Sequence, residues 1–156
     1  ARTQDKLDRC RALGLQDGVL VTDKKFAARV IELSRGRGAD VIVDTIGGAY
    51  FGENLNALAQ GGRLIVVGLL GGAVAELSLG MLLAKRARVL GTVLRSRPLE
   101  EKAALAQRFT RDVLPLFENG AIRPVVDRVM PMQDIQAAHR LMEQNENFGK
   151  LVLAWD

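Results

Sequence analysis

Two segments of the chain combine a short, mainly β-branched apolar run with glycines that follow it. The first, at 39–48, ends in Gly47 and Gly48, and the second, at 61–72, carries Gly68 directly after its apolar run. Neither run alternates polar with apolar positions, which is typical of strands buried on both faces of a parallel sheet. Glycine at the carboxyl end of such a strand lets the backbone approach a ligand closely. The two units therefore predict neighbouring strands of a nucleotide-binding domain.

The apolar spacing elsewhere predicts a steady alternation of helices and strands. Apolar residues every three or four positions indicate helices with one buried face, and the polar N-caps Thr3 and Ser78 mark where two of them begin. Gly14 ends the first helix, and Pro98 suits the first turn of the longest one. The order β-α-β-α-β indicates a doubly wound parallel sheet, so the predicted fold class is α/β. Strands are predicted at 19–21, 41–45, 64–68, 89–94, 124–130 and 150–154.

The composition is that of a globular protein with a core of its own. The 156 residues are 48% hydrophobic and 26% charged, which excludes an intrinsically disordered chain. The net charge of +4 favours anionic partners. Because the basic residues are dispersed and aromatic residues make up only 4%, nucleotide phosphates account for this charge better than a nucleic-acid surface does.

One cysteine and one histidine limit the metal and redox chemistry available to this sequence. Cys10 can form no disulfide within the chain, and Cys10 and His139 together do not complete a four-ligand zinc site. These two residues therefore do not predict a structural zinc site. Since no apolar run reaches the ~20 residues of a membrane helix and no signal peptide is visible, the expected location is a reducing cytoplasm, without membrane contact.

The glycine-rich turn that normally opens a dinucleotide-binding domain is absent. No Gly-x-Gly-x-x-Gly stands between a predicted strand and a helix. The pattern therefore predicts a partial Rossmann domain at 1–119. This domain lacks its first two strands and starts just after the position of the second strand. A shift in composition near Gly120 separates this domain from a carboxyl-terminal return segment at 120–156.

Five stretches, taken in their order and spacing, resemble a known family. They lie at 40–48, 67–72, 94–97, 134–139 and 147–153. Through them the chain resembles the carboxyl-terminal half of medium-chain dehydrogenases/reductases, in the quinone oxidoreductase branch of the zinc-type alcohol dehydrogenase superfamily. The resemblance implies a fragment of an enzyme whose GroES-like catalytic domain is missing and would pack with the carboxyl-terminal segment.

The resemblance also implies a reaction. Members of the branch transfer hydride from NADPH or NADH to a quinone or an activated alkene without a metal ion. The isolated fragment is expected to be inactive. Two other functions stay open: a zinc-dependent alcohol dehydrogenase with its zinc ligands mostly in the missing domain, and a non-catalytic module that binds NADPH or RNA. The basic charge is compatible with RNA, whereas the low aromatic content does not support it.

The start of the chain carries the residues that indicate which cofactor is used. In the family this place meets the adenosine ribose, and here it holds Arg2, Thr3 and Lys6. A hydroxyl and a cation at this place bind a 2′-phosphate through charge-assisted hydrogen bonds, which favours NADPH over NADH. The alternative is that Arg2 and Lys6 are solvated charges of the first helical turn.

Further cofactor contacts are implied at turns and loops. Two adjacent turns flank the ribose and nicotinamide, the end of the last Rossmann strand holds the nicotinamide amide, and a late loop returns to the same pocket. In that order the residues are Thr45, Ile46, Gly47, Gly48, Gly68, Leu69 and Leu70, then Leu94, Arg95 and Ser96, then Asn145. The alternatives are glycines that only pack helix on sheet, an exposed strand-end charge at Arg95 and a plain polar loop at Asn145. We expect Asp44 to be a hydrogen-bonded structural acid.

The predicted strand at 89–94 is the outermost of the sheet and contains no proline and no inward charge. An apolar edge strand leaves backbone N–H and C=O groups free to pair with another chain. Family members commonly pair this strand across a two-fold axis. The resemblance therefore implies a homodimer with the same residues on both sides of the contact.

Overall fold

The structure is a computed structural model that describes residues 1–155 as two compact units, residues 1–96 and the chain from Arg97 onward. The predicted α/β class is confirmed, while the predicted boundary between residues 119 and 120 stays a prediction. The helices are α1 (Gln4–Ala12), α2 (Ala27–Leu33), α3 (Phe51–Ala57), α4 (Leu79–Lys85), α5 (Leu99–Asp112), α6 (Leu114–Glu118) and α7 (Ile135–Glu143). The strands are β1 (Ala39–Asp44), β2 (Leu58–Val66), β3 (Arg88–Gly91), β4 (Val126–Pro131) and β5 (Lys150–Ala154).

The first unit is built on a parallel sheet with the strand order β1-β2-β3. Val43 pairs with Ile65, which in turn pairs with Leu90. Parallel neighbours need a crossover connection, which α3 supplies between β1 and β2 and α4 supplies between β2 and β3. Because the strands run in one direction, their carboxyl ends share one edge, where open α/β sheets bind ligands.

One face of this sheet is buried beneath α3. The centre of the core consists of Leu55, Leu58 and Leu64, and Leu64 is 0% exposed. Partly buried residues that pack around this centre are Ile42, Phe51, Val66, Met81 and Ala87. On the other face Val43 is 64% exposed, so the prediction of burial on both faces is wrong for β1 in this structure. An unbroken apolar run shows that both faces of a strand could be buried, whereas in this structure only one face of β1 is covered.

The second unit contains its own parallel pair, β4 with β5. Val129 pairs with Val152 and Met130 with Leu153, and α7 forms the crossover between the two strands. A short 3₁₀ turn at Met132–Asp134 leads into α7. The two strands predicted for this region are confirmed: the one predicted at 124–130 lies at Val126–Pro131, and the one predicted at 150–154 has the same bounds in the structure.

Both predicted polar N-caps are confirmed. The hydroxyl of Thr3 accepts a hydrogen bond from the Lys6 N–H at 3.5 Å, and that of Ser78 accepts one from the Met81 N–H at 3.3 Å. The first N–H groups of a helix lack partners inside it, so a hydroxyl just before the helix stabilises its start.

Two predicted strands differ from the structure. The strand predicted at 19–21 is wrong: the Val21 N–H donates to the Ala1 carbonyl at 2.8 Å and the Ala1 ammonium group donates to the Val19 carbonyl at 2.9 Å, but these two bonds do not extend into a strand ladder. The strand predicted at 89–94 is β3 and ends earlier, at Gly91. Gly91 pairs with Val66, which is the last residue of β2. The residues after Gly91 therefore have no further β2 residue opposite them.

Within residues 1–155 no helix has both the length and the apolar character needed to cross a membrane.

A carboxylate from α3 stabilises the start of α2. The Glu53 side chain, 14% exposed, accepts hydrogen bonds from the N–H groups of Phe26 and Ala27, both at 2.9 Å, and Lys25 Nζ lies 3.3 Å from it. The N-cap residue Phe26 has no capping side chain of its own. The backbone donors hold the pKa of Glu53 below its ordinary value; burial opposes them and Lys25 adds to them. A charge placed three residues into α3 therefore fixes α2 against α3.

We predict that Glu53→Gln lowers the free energy of unfolding near pH 7 by about 1–2 kcal/mol, because one charge-assisted cap is lost. The folded-state pKa of Glu53 lies below its unfolded value of about 4.3. The stabilisation is therefore complete above that value and is lost as pH falls through the folded pKa. Urea unfolding from pH 7 to pH 3 measures it. The control is Glu32→Gln, which removes an exposed i,i+3 ion pair with Arg29 and should cost less than about 0.5 kcal/mol. Equal, pH-independent losses in both variants would contradict the assignment.

Candidate functional site

The turns that follow β1 and β2 are joined to each other at the carboxyl edge of the sheet. The ladder continues one residue past the end of β2, since the Val67 N–H donates to the carbonyl of Asp44, the last residue of β1, at 2.8 Å. Four further backbone bonds join the turns: Leu70 N–H to Thr45 O at 3.2 Å, Gly71 N–H to Ile46 O at 2.6 Å, Gly48 N–H to Gly72 O at 2.9 Å and Ala49 N–H to Gly71 O at 3.1 Å. The two turns predicted from the sequence as one site are therefore contiguous.

Glycine is required where these turns approach each other. Gly47 has φ +78°, and a Cβ there would lie 2.7 Å from the Gly72 carbonyl oxygen. A Cβ at Gly48 would overlap the carbonyl oxygen of Val74. At Gly68 a Cβ would lie 2.8 Å from the Thr45 carbonyl oxygen. The neighbouring turn thus fills the space beside these glycines. Letting the two turns pack closely is a third role for the glycines, in addition to ligand approach and helix-on-sheet packing.

Asp44, the last residue of β1, organises the first turn. Its side chain is buried, with one oxygen accepting from the Ile46 N–H at 2.8 Å and the other from the Gly47 N–H at 3.0 Å. A buried carboxylate needs such donors to offset its desolvation. Asp44 is therefore a structural acid, as predicted.

A cavity of about 220 Å³ opens between the two turns. Its lining is apolar apart from backbone groups and consists of Gly47, Gly48, Phe51, Val66, Leu69, Ala73, Val74 and Ala75. The two glycines and Leu69 were predicted from the sequence as site residues, whereas Phe51, Val66 and the segment 73–75 were not. The available signal was the apolar stretch after Gly72, which is unusual for a loop; Val74 is 88% exposed.

The cavity suits an uncharged, flat group better than a phosphate. The N–H groups of Gly48 and Ala49, at the start of the short 3₁₀ turn before α3, already donate to the carbonyls of Gly72 and Gly71. Anions bind helix starts through such N–H groups, and these are taken. The volume is also below the roughly 300–1,000 Å³ of pockets for drug-sized ligands. The lining therefore suits an uncharged ring, and the N–H groups of Gly48 and Ala49 do not serve an anion.

The other predicted site residues lie outside the cavity lining. Arg2 and Thr3 are exposed at the start of α1, with Lys6 half-buried in its first turn. Leu94, Arg95 and Ser96 are exposed in the segment after β3. Asn145 belongs to the second unit, where it follows α7 with φ +61° and donates its N–H to the Met142 carbonyl at 3.0 Å. Their proposed cofactor contacts stay predictions.

Comparison with known proteins identifies the family. The family described as zinc-binding dehydrogenase matches residues 13–153. The chain belongs to this family. Among the described residues, no three or more His, Cys, Asp or Glu side chains come together as a possible metal site.

Individual relatives agree with this membership. The chain is 27% identical over 154 residues to quinone oxidoreductase-like protein 2 of Bos taurus, covering 99% of this chain and 44% of that protein. It is similar to the crystal structure of an NAD-dependent alcohol dehydrogenase, with a TM-score of 0.79 and 32% identity, over 98% of this chain and 42% of that one. The JamJ enoyl reductase gives a TM-score of 0.76 and 26% identity, over 99% and 46%. The chain thus spans less than half the length of these three proteins, and its fold resembles their Rossmann-type domains.

We predict that Gly48→Ala lowers the free energy of unfolding by about 1–3 kcal/mol, because the new methyl group would push the turns apart. Gly52→Ala is the matched control: it lies four residues on, inside α3, with nothing within 4 Å of the added Cβ. That change should raise stability by about 0.5–1 kcal/mol through helix propensity. Urea unfolding followed by circular dichroism measures both, and equal stability of the two variants would argue against the close contact of the turns.

Proposed function

We propose that this chain is the cofactor-binding part of an NAD(P)H-dependent reductase that acts on a quinone or an activated alkene. The observation that supports the proposal most is the apolar cavity between two joined glycine turns at the carboxyl ends of adjacent parallel strands. Family membership supports oxidoreductase chemistry. The names of two relatives, a quinone oxidoreductase-like protein and an enoyl reductase, support the two substrate classes.

The residues of the site bind and orient; they carry no charge that could act on a substrate. Bound NADPH or NADH supplies the hydride. The backbone of Gly47 and Gly48 and the side chain of Leu69 would hold the nicotinamide and ribose end. Phe51 and Val66, both partly buried, would exclude water from one side of the cavity.

We propose NADPH as the preferred cofactor, bound at its 2′-phosphate by Arg2, Thr3 and Lys6. The Thr3 oxygen accepts the Lys6 N–H, which leaves the hydroxyl proton to donate to a phosphate oxygen. The free thiol of Cys10 suits a reducing compartment, so we propose a cytoplasmic protein.

The test is turnover by the full-length protein with a benzoquinone and with an α,β-unsaturated thioester, each assayed with NADPH and NADH. We expect cofactor oxidation with at least one acceptor, and transfer of deuterium from 4-deuterated cofactor to the reduced alkene. In the double variant Arg2→Ala/Lys6→Ala, kcat/KM for NADPH should fall by about tenfold or more, whereas that for NADH should change little.

The control variant is Arg11→Ala, which removes an exposed cation from the far end of α1. It should leave both cofactors unaffected. Absence of turnover with both acceptors, together with RNA binding that NADPH abolishes, would favour the non-catalytic module. Equal losses for NADPH and NADH in the double variant would refute the 2′-phosphate contact.

We also propose a homodimer through β3. This strand lies at the end of the strand order β1-β2-β3, and Leu90 within it is 46% exposed. The Thr92 N–H donates to the Val66 carbonyl at 3.1 Å. Because alternate residues of a strand face opposite neighbours, Gly91 directs its N–H away from β2, toward a second copy.

Gly91→Pro is expected to abolish the dimer, because proline removes an outward N–H while an edge strand tolerates it. Gly91→Ala retains the N–H and should stay dimeric. Sedimentation velocity over a concentration series measures the change. A wild-type protein that sediments as a monomer at every concentration would end the proposal.

A further inference from the structure

Helix α4 ends in a lysine whose ammonium group contacts the end of α3. Lys85 Nζ donates to the carbonyl oxygens of Leu55 at 2.8 Å, Asn56 at 2.6 Å and Leu58 at 2.6 Å. The last carbonyls of a helix have no N–H partner inside it, and a cation there also meets the negative end of the helix dipole. Three donors meet three acceptors, so Lys85 caps α3 from outside and uses its full hydrogen-bonding capacity.

The contact is reciprocal. Gln60, in β2 just after α3, donates from Nε2 to the carbonyl of Ala84 at 2.9 Å, near the end of α4. The next residue after α4, Arg86, has φ +48°, a left-handed conformation unfavourable for a residue with a Cβ. The carboxyl ends of α3 and α4 are thus held together from both sides at some backbone cost.

This junction lies at the far ends of the two walls of the cavity. One wall consists of Gly47, Gly48 and Phe51 and continues directly into α3. The other wall contains Leu69 and the segment 73–75, which leads into α4. The second wall is an exposed loop, so its position depends on its bonds to the first turn and on where α4 is held.

We propose that Lys85 is a positioning residue for the cofactor cavity: by tying α4 to the end of α3, it sets the separation of the two walls and keeps the turns joined. The inference deepens the proposed function and rests on it for the identity of the ligand. Lys85 acts through the loop and does not line the cavity. Burial lowers the pKa of Lys85, and the three carbonyl oxygens are the hydrogen-bond partners that a partly buried ammonium group needs.

The experiment is amide hydrogen exchange on the chain without cofactor, comparing wild type with Lys85→Met. The reporters are the N–H groups of Gly48, Ala49 and Gly71, which bond across the two turns. The reference amides lie in β2 at 63–66. We expect exchange at the reporters to accelerate by about tenfold or more while the reference amides change by less than about twofold, because only local opening is affected. Lys85→Arg keeps a cation and should restore part of the protection.

Arg88→Met is the matched control, since it removes an exposed positive charge three residues along the chain, at the start of β3 rather than at the end of α3. A uniform acceleration across reporters and reference amides would show that Lys85 only stabilises the fold, and unchanged reporters would also overturn the proposal. If Lys85→Met does not fold, Gln60→Ala, which removes the reciprocal bond at an exposed position, is measured in the same way and judged by the same pattern.

A second measurement separates this inference from the proposed function. In the full-length protein, Lys85→Met should weaken NADPH binding about tenfold, measured by nicotinamide fluorescence, with Arg88→Met unchanged. Selective exchange at the reporters together with no NADPH binding by wild type would leave the role of Lys85 standing and refute the cofactor. NADPH binding by wild type without selective exchange at the reporters would support the cofactor and refute the role of Lys85.

Discussion

The close approach of two turns at the carboxyl edge of the sheet is the constraint on which the site depends. Neighbouring parallel strands lie about 4.8 Å apart, so the turns that follow them begin at the same close spacing. Here they stay joined by backbone bonds, and at Gly47, Gly48 and Gly68 a side chain would collide with the other turn. Asp44 accepts the remaining N–H groups of the first turn. The cavity is the space that this packing leaves open beyond Leu69.

Helix α3 transmits this constraint to the rest of the first unit. Its first turn supplies Phe51 to the cavity, its interior supplies Leu55 to the core, and Glu53 caps the start of α2. Its carboxyl end is capped by Lys85. A helix of two turns would be unstable alone, since helices this short do not persist in water, and tertiary contacts at both ends stabilise it.

The chemistry of the lining limits what the cavity can do. An apolar cavity with satisfied backbone donors can bind and orient an uncharged ring, and it contains no acid, base or metal ligand of its own. The chain belongs to the zinc-binding dehydrogenase family and spans less than half of the relatives compared above.

The sequence pattern predicts the alternation of elements, the polar caps at Thr3 and Ser78, and the pairing of two glycine turns, because these depend on local propensity and on spacing along the chain. It did not determine the end of β3 at Gly91 or the loss of a strand at 19–21, since a strand exists only where a partner strand runs beside it. Nor did it indicate Phe51, the segment 73–75 or Lys85. Their roles arise from contacts between residues about 20 to 30 positions apart, and only the tertiary structure decides which distant carbonyls meet one ammonium group.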